Sequence, residues 1–349
     1  AASLGAGAAA PPSDDQLVLN LKSVFTEADQ QSALDAMAQL LRDRPKDQQA
    51  LEQFQRLIGQ LTGTPAPGMP PASAPAAAAG TGAPQAAPED NGEASGLLGQ
   101  DAIDVFRRFS ALVPQQRTGG IAGLGDIFGG LWNGAKEALR VASYWEMKKR
   151  AGTVGQLGLG PVLNRLQDKS AGLKVHLIGH SFGARLVSFA LTALRPEPPR
   201  VVESVVLLQG AFSHFAFALK LPQDPSRSGA LAGMSARVDG PLCVTYSAKD
   251  LAVGTAYPLA SIAARDDSAG LVDLLFRWGG MGHDGAQAVG AAPAFMGPVG
   301  TKYPFGIGSF LNLDSNAIIS QGGPPAGAHS DIVHPEIAWM VLASARVVS

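Results

Sequence analysis

The sequence predicts an α/β fold built on a parallel sheet, with a helical segment at its N-terminal side. Three observations predict it. First, Val175–Ile178, Val201–Leu208 and Leu242–Tyr246 are short apolar runs rich in β-branched residues, each bounded by turn-forming or polar residues. Second, apolar positions at helical spacing lie between and after them: Ala184, Leu186, Val187, Ala190 and Leu191, and later Ile337, Met340, Val341 and Ala345. Strands that alternate with helices imply parallel pairing. Third, the first run passes straight into Gly179-His180-Ser181-Phe182-Gly183, and a helix follows at once.

Composition narrows the class. The chain has 349 residues, enough for one large domain or two small ones. Hydrophobic residues make up 46%, a figure inflated by alanine, so a sizeable core is available. The net charge of −2 implies neither nucleic acid nor an anionic membrane as partner. Cys243, the single cysteine, excludes an intrachain disulfide and reads as a buried structural thiol. No apolar run reaches membrane-spanning length, and the first residues lack the basic and apolar regions of a signal peptide. A cytoplasmic protein is the expectation.

Taken in order, residues 1–61 form a helical segment. Leu34, Met37, Ala38 and Leu41 make one apolar stripe; Leu51, Phe54, Leu57, Ile58 and Leu61 make the next, after Pro45 interrupts. Residues 62–97 are a Pro/Ala/Gly linker, too poor in large apolar side chains to bury a core. Residues 98–349 are expected to hold the α/β core. Within them a helix begins at Asp101 and stops near Pro114. Gly119–Gly134 reads as a glycine-rich apolar loop, with a long helix from Asn133 to Arg150 and a short one over Pro161–Gln167. Residues 255–300 read as an insertion with a helix around Leu271–Trp278. Phe310–Ile319 carries the last strand, Gly322–Ala328 is a loop, and Pro335–Ala345 is the closing helix.

The chemistry starts at Ser181. Strand, G-x-S-x-G and helix place a serine on a sharp turn whose flanking positions, Gly179 and Gly183, must be small. The Phe182 N–H at the helix start is the expected donor to a developing oxyanion. A serine hydroxyl needs a base, and the base needs a carboxylate to orient it. Asp250 follows the Leu242–Tyr246 strand through Ser247-Ala248-Lys249 and is the expected acid; turn chemistry is its plainer role. Asp266, Asp267, Asp273 and Asp284 lie further from any strand end and read as surface or insertion residues. Two histidines follow the last strand. His329 sits in a flexible loop able to swing toward Ser181 and is preferred as base, with His334 open as the alternative. His334 precedes Pro335 and otherwise caps or packs, with Asp331 a cap or orienting residue. His180 reads as a structural pocket residue, His176 as part of the buried strand, and His214 and His283 as cleft residues. Phe212, Phe215, Trp278 and Met281 are the expected acyl pocket. No His or Cys cluster has metal-ligand spacing, so neither metal nor cofactor is implied.

With Gly179–Gly183, Asp250 and His329 in place, residues 98–349 resemble the α/β-hydrolase superfamily. Tyr144–Gly152, the Ser181 turn and His329–Ile332 are similar to a bacterial serine-hydrolase group within it. The resemblance implies acyl-ester chemistry on a small-molecule substrate: ester, thioester or amide cleavage, or acyl transfer on the same residues. It also exposes a gap. In that superfamily several strands precede the serine turn, and one of their loops, often beside a His-Gly pair, gives a second oxyanion donor. This chain has no His-Gly pair, and Gln16–Leu21 is the only weak alternation before Lys174. An upstream segment or a partner chain is therefore expected to supply the missing strands. The same gap leaves a non-catalytic interaction module as the rival expectation.

Overall fold

A computed structural model of the chain describes residues 13–63, 100–112, 124–170, 172–197, 200–256, 279–323 and 326–348. Most of the Pro/Ala/Gly linker, Trp278 and the helix expected at Leu271–Trp278 lie outside them. The chain divides into two compact units, one of residues 1–147 with 259–268 and one of residues 148–258 with 269–349. The division therefore falls inside a helix at Met147, and the described residues 100–112 and 124–147 group with the N-terminal helices.

The first unit is helical: α1 (Asp14–Lys22), α2 (Ala28–Asp43), α3 (Gln48–Thr62), α4 (Ala102–Leu112) and most of α5 (Leu124–Thr153). The starts of α1, α2 and α3 are capped by polar side chains, as orphan N–H groups require. Ser13 Oγ accepts from Gln16 N–H at 3.2 Å and Asp47 Oδ1 from Ala50 N–H at 2.8 Å, while Glu27 and Gln30 form a reciprocal box. The two stripes read from the sequence are buried together with Phe106, Phe109 and Trp132. Phe54 meets Phe106 and Trp132 edge-on at centroid distances of 6.0 and 5.7 Å. These aromatic contacts join α3, α4 and α5 in one core.

The expected loop at Gly119–Gly134 is corrected from Leu124 onward, where α5 begins. Leu131, Trp132, Ala135, Ala138, Leu139 and Ala142 form one buried stripe. Burying them outweighs the roughly 1 kcal/mol that each glycine costs a helix. Gly134 is needed as such: a Cβ there would lie 1.8 Å from the Phe106 carbonyl oxygen, so the close crossing of α4 and α5 depends on it.

The second unit holds the sheet. The end of α5 runs into a π-helical turn (Val154–Leu159) and α6 (Gly160–Lys169), a longer helical passage than expected. Then follow β1 (Val175–His180), α7 (Phe182–Ala190), β2 (Val202–Leu208), β3 (Leu242–Tyr246), the short α8 (Met281–Asp284), β4 (Ala292–Phe295), β5 (Phe310–Asp314) and α9 (Pro335–Ser344). The five strands among the described residues are all parallel in the order β1-β2-β3-β5-β4. Strand β4 lies in the stretch read as an insertion. It is short, mostly exposed and contains Pro293, a residue tolerated at a sheet edge because it cannot donate to a ladder. Val206, Leu208, Cys243, Leu311, Leu313, Ile337 and Met340 form a core between sheet and α9. Burial pushes the Cys243 thiol up to about 12, which suits a structural thiol and not a nucleophile. No helix among the described residues is long and apolar enough to cross a membrane.

Strand β1 ends the strand order and pairs, among the described residues, with β2 alone. Leu177 and Gly179 are buried, whereas Ile178, on the other face, is 49% exposed. Ile178→Lys is therefore expected to change unfolding free energy by no more than about 0.5 kcal/mol, as at an ordinary surface position. Urea denaturation measures this, and a cost above about 2 kcal/mol would mean that another surface covers this face in solution.

Candidate functional site

The carboxyl ends of β1, β2 and β3 are neighbours in a parallel sheet, the edge where such folds assemble sites. Ser181 leaves β1 there with φ 57° and ψ −122°, a region that L-residues rarely occupy. Such a backbone costs about 1–3 kcal/mol and persists only where its surroundings hold it. They do so at three points. Ser181 N–H donates to Leu208 O at 3.0 Å, and Ser181 O accepts from Ala184 N–H at 3.1 Å and Ala211 N–H at 3.2 Å. The turn projects the half-buried hydroxyl beside the start of α7, where the Phe182 N–H belongs to the first helical residue.

The two glycines of the turn are not equivalent. A Cβ at Gly179 would stand 2.3 Å from Gly183 O and 2.6 Å from Ala184 Cα, so strand and helix meet there without room for a side chain. A Cβ at Gly183 would meet nothing within 4 Å. The demand for a small residue at Gly183 is thus corrected: the crowding lies on the strand side alone.

Asp250 follows β3 through a turn in which its N–H donates to Ser247 O at 3.0 Å. It is fully buried, and its carboxylate is satisfied on both oxygens. Oδ1 accepts from Val253 N–H at 3.0 Å; Oδ2 faces His329 Nδ1 at 2.8 Å and accepts from Gln209 Nε2 at 3.0 Å. Burial of a carboxylate is tolerable when donors replace its water in this way.

His329 completes the chain of contacts, its Nε2 lying 2.8 Å from Ser181 Oγ. A carboxylate can only accept, so the Nδ1 facing Asp250 carries the proton and Nε2 is left to accept from the serine hydroxyl. Backbone contacts tie the residues just before His329 to the loop that carries Asp250. Ala328 N–H donates to Lys249 O at 2.9 Å, Ala252 N–H donates to Ala326 O at 3.2 Å, and Asp250 and Gly327 form an antiparallel bridge. The Asp250 loop and the His329 loop are thereby held together. His180 adds a further tie: its Nε2 bonds His329 O at 2.8 Å, and the two rings lie 4.9 Å apart. Burial is the main reason the His180 imidazole sits below the ordinary histidine range, so at neutral pH it donates as a neutral ring.

The remaining sequence expectations divide. His334 does not join the chain; its Nε2 bonds Asp331 Oδ1 at 2.8 Å, and it makes no side-chain cap on α9. Asp331 neither caps a helix nor orients His329: Oδ2 accepts from Ser320 and Gln321 N–H, both at 2.8 Å. Burial alone would raise its carboxyl, but these N–H groups and His334 outweigh burial and hold it below the usual range. His176 bonds Ser204 Oγ at 2.8 Å across to β2. Asp284, read as a surface residue, bonds through both oxygens to Nδ1 of His214 at 2.8 and 2.9 Å. His214 is buried there and does not line a cleft. The acyl-pocket expectation is likewise corrected for the described residues. Phe212 and Met281 are 0% exposed and Phe215 is 3% exposed, so they pack as core and present no wall. Their apolar character drew them inward, Phe215 onto Ala218 and Leu221. Trp278 lies outside the described residues.

Nothing in the local sequence singles out Gln209. It belongs to no motif, and only its place directly after β2 at the carboxyl edge points to it. Among the described residues no group of histidine, cysteine and acidic side chains is arranged to hold a metal. Compared with known proteins, the chain matches no family model, no curated protein and no solved structure.

Proposed function

We propose that this protein is a serine hydrolase of the α/β-hydrolase kind, cleaving a carboxylic ester, thioester or amide through an acyl-enzyme. One observation carries the reading: a hydroxyl, an imidazole and a buried carboxylate are linked by two 2.8 Å contacts at the carboxyl edge of a parallel sheet, with the serine in a strained turn. Turn strain and a buried carboxylate both cost stability, and acyl transfer gives each a use.

Ser181 Oγ attacks the acyl carbon, and its proton passes to His329 Nε2. The carbonyl oxygen becomes negative and faces the Phe182 N–H. As the carbon–leaving-group bond breaks, His329 returns the proton to the departing oxygen, sulfur or nitrogen. Water then attacks the acyl carbon, gives a proton to His329, and Ser181 regains it when the acid leaves. Asp250 stays ionised throughout this cycle and stabilises the imidazolium formed in each half.

The folded protein is expected to react with a fluorophosphonate to one label per chain, at Ser181, and to hydrolyse short p-nitrophenyl esters. Intact mass and peptide mapping read the label. Heat-unfolded protein should not react, because only the folded site activates the hydroxyl. A folded protein that takes no label and turns over no ester would sink the reading.

A further inference from the structure

We propose that Gln209 is a positioning residue of this site, whose side-chain amide sets the place of the Asp250 oxygen that His329 uses. The inference rests on the hydrolase reading above. Gln209 is fully buried directly after β2 and takes a positive φ of 46°, unusual for a residue with a side chain. Every polar atom of its side chain is engaged. Thr245 Oγ1 accepts from Gln209 N–H at 3.2 Å and donates to Gln209 Oε1 at 3.1 Å. Nε2 donates to Gly282 O at 2.8 Å and to Asp250 Oδ2 at 3.0 Å. The direction of the amide follows from chemistry: a carboxylate and a carbonyl only accept, so the NH₂ end must face them.

The consequence concerns one oxygen. Asp250 Oδ2 serves His329 and Gln209 together, while Oδ1 is tied to the Val253 N–H. Without the amide, Oδ2 keeps one partner and the carboxylate can rotate about its Oδ1 anchor. The amide itself cannot follow, because β3 holds it through Thr245 and α8 holds it through Gly282. Gln209 thus transmits the rigidity of two elements to the imidazole through a single carboxylate oxygen. It touches neither the nucleophile nor the base.

Two substitutions test this, each compared with the intact protein on a p-nitrophenyl ester and by fluorophosphonate labelling rate. Gln209→Leu keeps the bulk and removes the donor. It should lower kcat about 10- to 100-fold, the loss of one hydrogen bond to a charged group, with KM within about threefold. Gln209→Glu keeps the shape and makes the outcome depend on pH. The titrating group that Gln209 touches is Asp250, with His329 one contact beyond. When protonated, the introduced carboxyl can donate to Oδ2; when ionised, it faces a second carboxylate at about 3 Å and repels it. The rate of Gln209→Glu relative to the parent should therefore fall as pH rises.

A merely structural role would lower that ratio equally at every pH. A flat ratio, or wild-type kcat in Gln209→Leu, overturns the proposal while leaving the hydrolase reading intact. A parent protein that neither labels nor turns over overturns both. If Gln209→Leu does not fold, the pH dependence of Gln209→Glu still decides.

Discussion

Ser181→Ala, His329→Ala and Asp250→Asn are each expected to lower kcat/KM on a short ester by about 10⁴-fold or more, with the Ser181→Ala/His329→Ala pair scarcely worse than either alone. The non-additivity matters as much as the size. In the proposed mechanism Ser181 Oγ and His329 Nε2, 2.8 Å apart, act as one unit, so removing the second member after the first removes nothing further. The aspartate variant is the more instructive. Its oxygens accept from three donors, two of them on Oδ2. An amide offers acceptors at only one of its two positions. Placed with its NH₂ toward Oδ1, it faces the Val253 N–H; reversed, it faces the Gln209 amide and turns His329 to the wrong tautomer. Either way a buried donor loses its partner, at about 1–3 kcal/mol. Asp250→Asn should therefore lose stability as well as rate, whereas Ser181→Ala should lose rate alone and gain stability if the residue relaxes. Steady-state kinetics and urea melts on the same preparations separate the two. Retention of more than a tenth of the activity by any of the three would remove that residue from the mechanism.

What the sequence made legible follows from how local each signal is. The Ser181 turn was readable because strand, glycine pair and helix are contiguous. Asp250 and His329 were readable because each follows a strand, and the structure brings all three side chains together. The helical stripes at Leu34–Leu41 and Leu51–Leu61 were readable for the same reason: period alone places them in one core. The failures share a cause, since partner choice in three dimensions leaves no local trace. Phe212 and Met281 look alike in sequence whether they line a cavity or fill a core, and burial decided for the core. Gly119–Gly134 looked like a loop because glycine disfavours helices, yet from Leu124 onward Trp132 and its neighbours had a face to bury. Gln209 carries no signal except position, because its importance comes from Thr245, Asp250 and Gly282, residues 36, 41 and 73 positions away. The loop carrying His329 read as flexible from its glycines, and its ties to Lys249 and Ala252 are long-range backbone bonds that composition cannot announce.

Gly179→Ala and Gly183→Ala should behave oppositely, although the pentapeptide makes them look like a matched pair. At Gly179 a methyl group would sit 2.3 Å from Gly183 O and 2.5 Å from Gly183 C, both backbone atoms that no rotamer change can move. Relief requires β1 and α7 to separate. Overpacking of that kind costs about 3 kcal/mol. The separation also draws the start of α7 away from Ser181, so the Phe182 N–H loses its aim and fluorophosphonate labelling should fall at least 100-fold even in the fraction that remains folded. At Gly183 the added methyl has open space, and the residue lies within α7. Alanine there is favoured over glycine by up to about 1 kcal/mol through lower backbone entropy in the unfolded chain. Gly183→Ala should thus melt at or above the parent temperature. Equal destabilisation by the two substitutions would show that the helix start is as crowded as the strand end, and that the turn is held by a different contact from the one between Gly179 and Gly183 O.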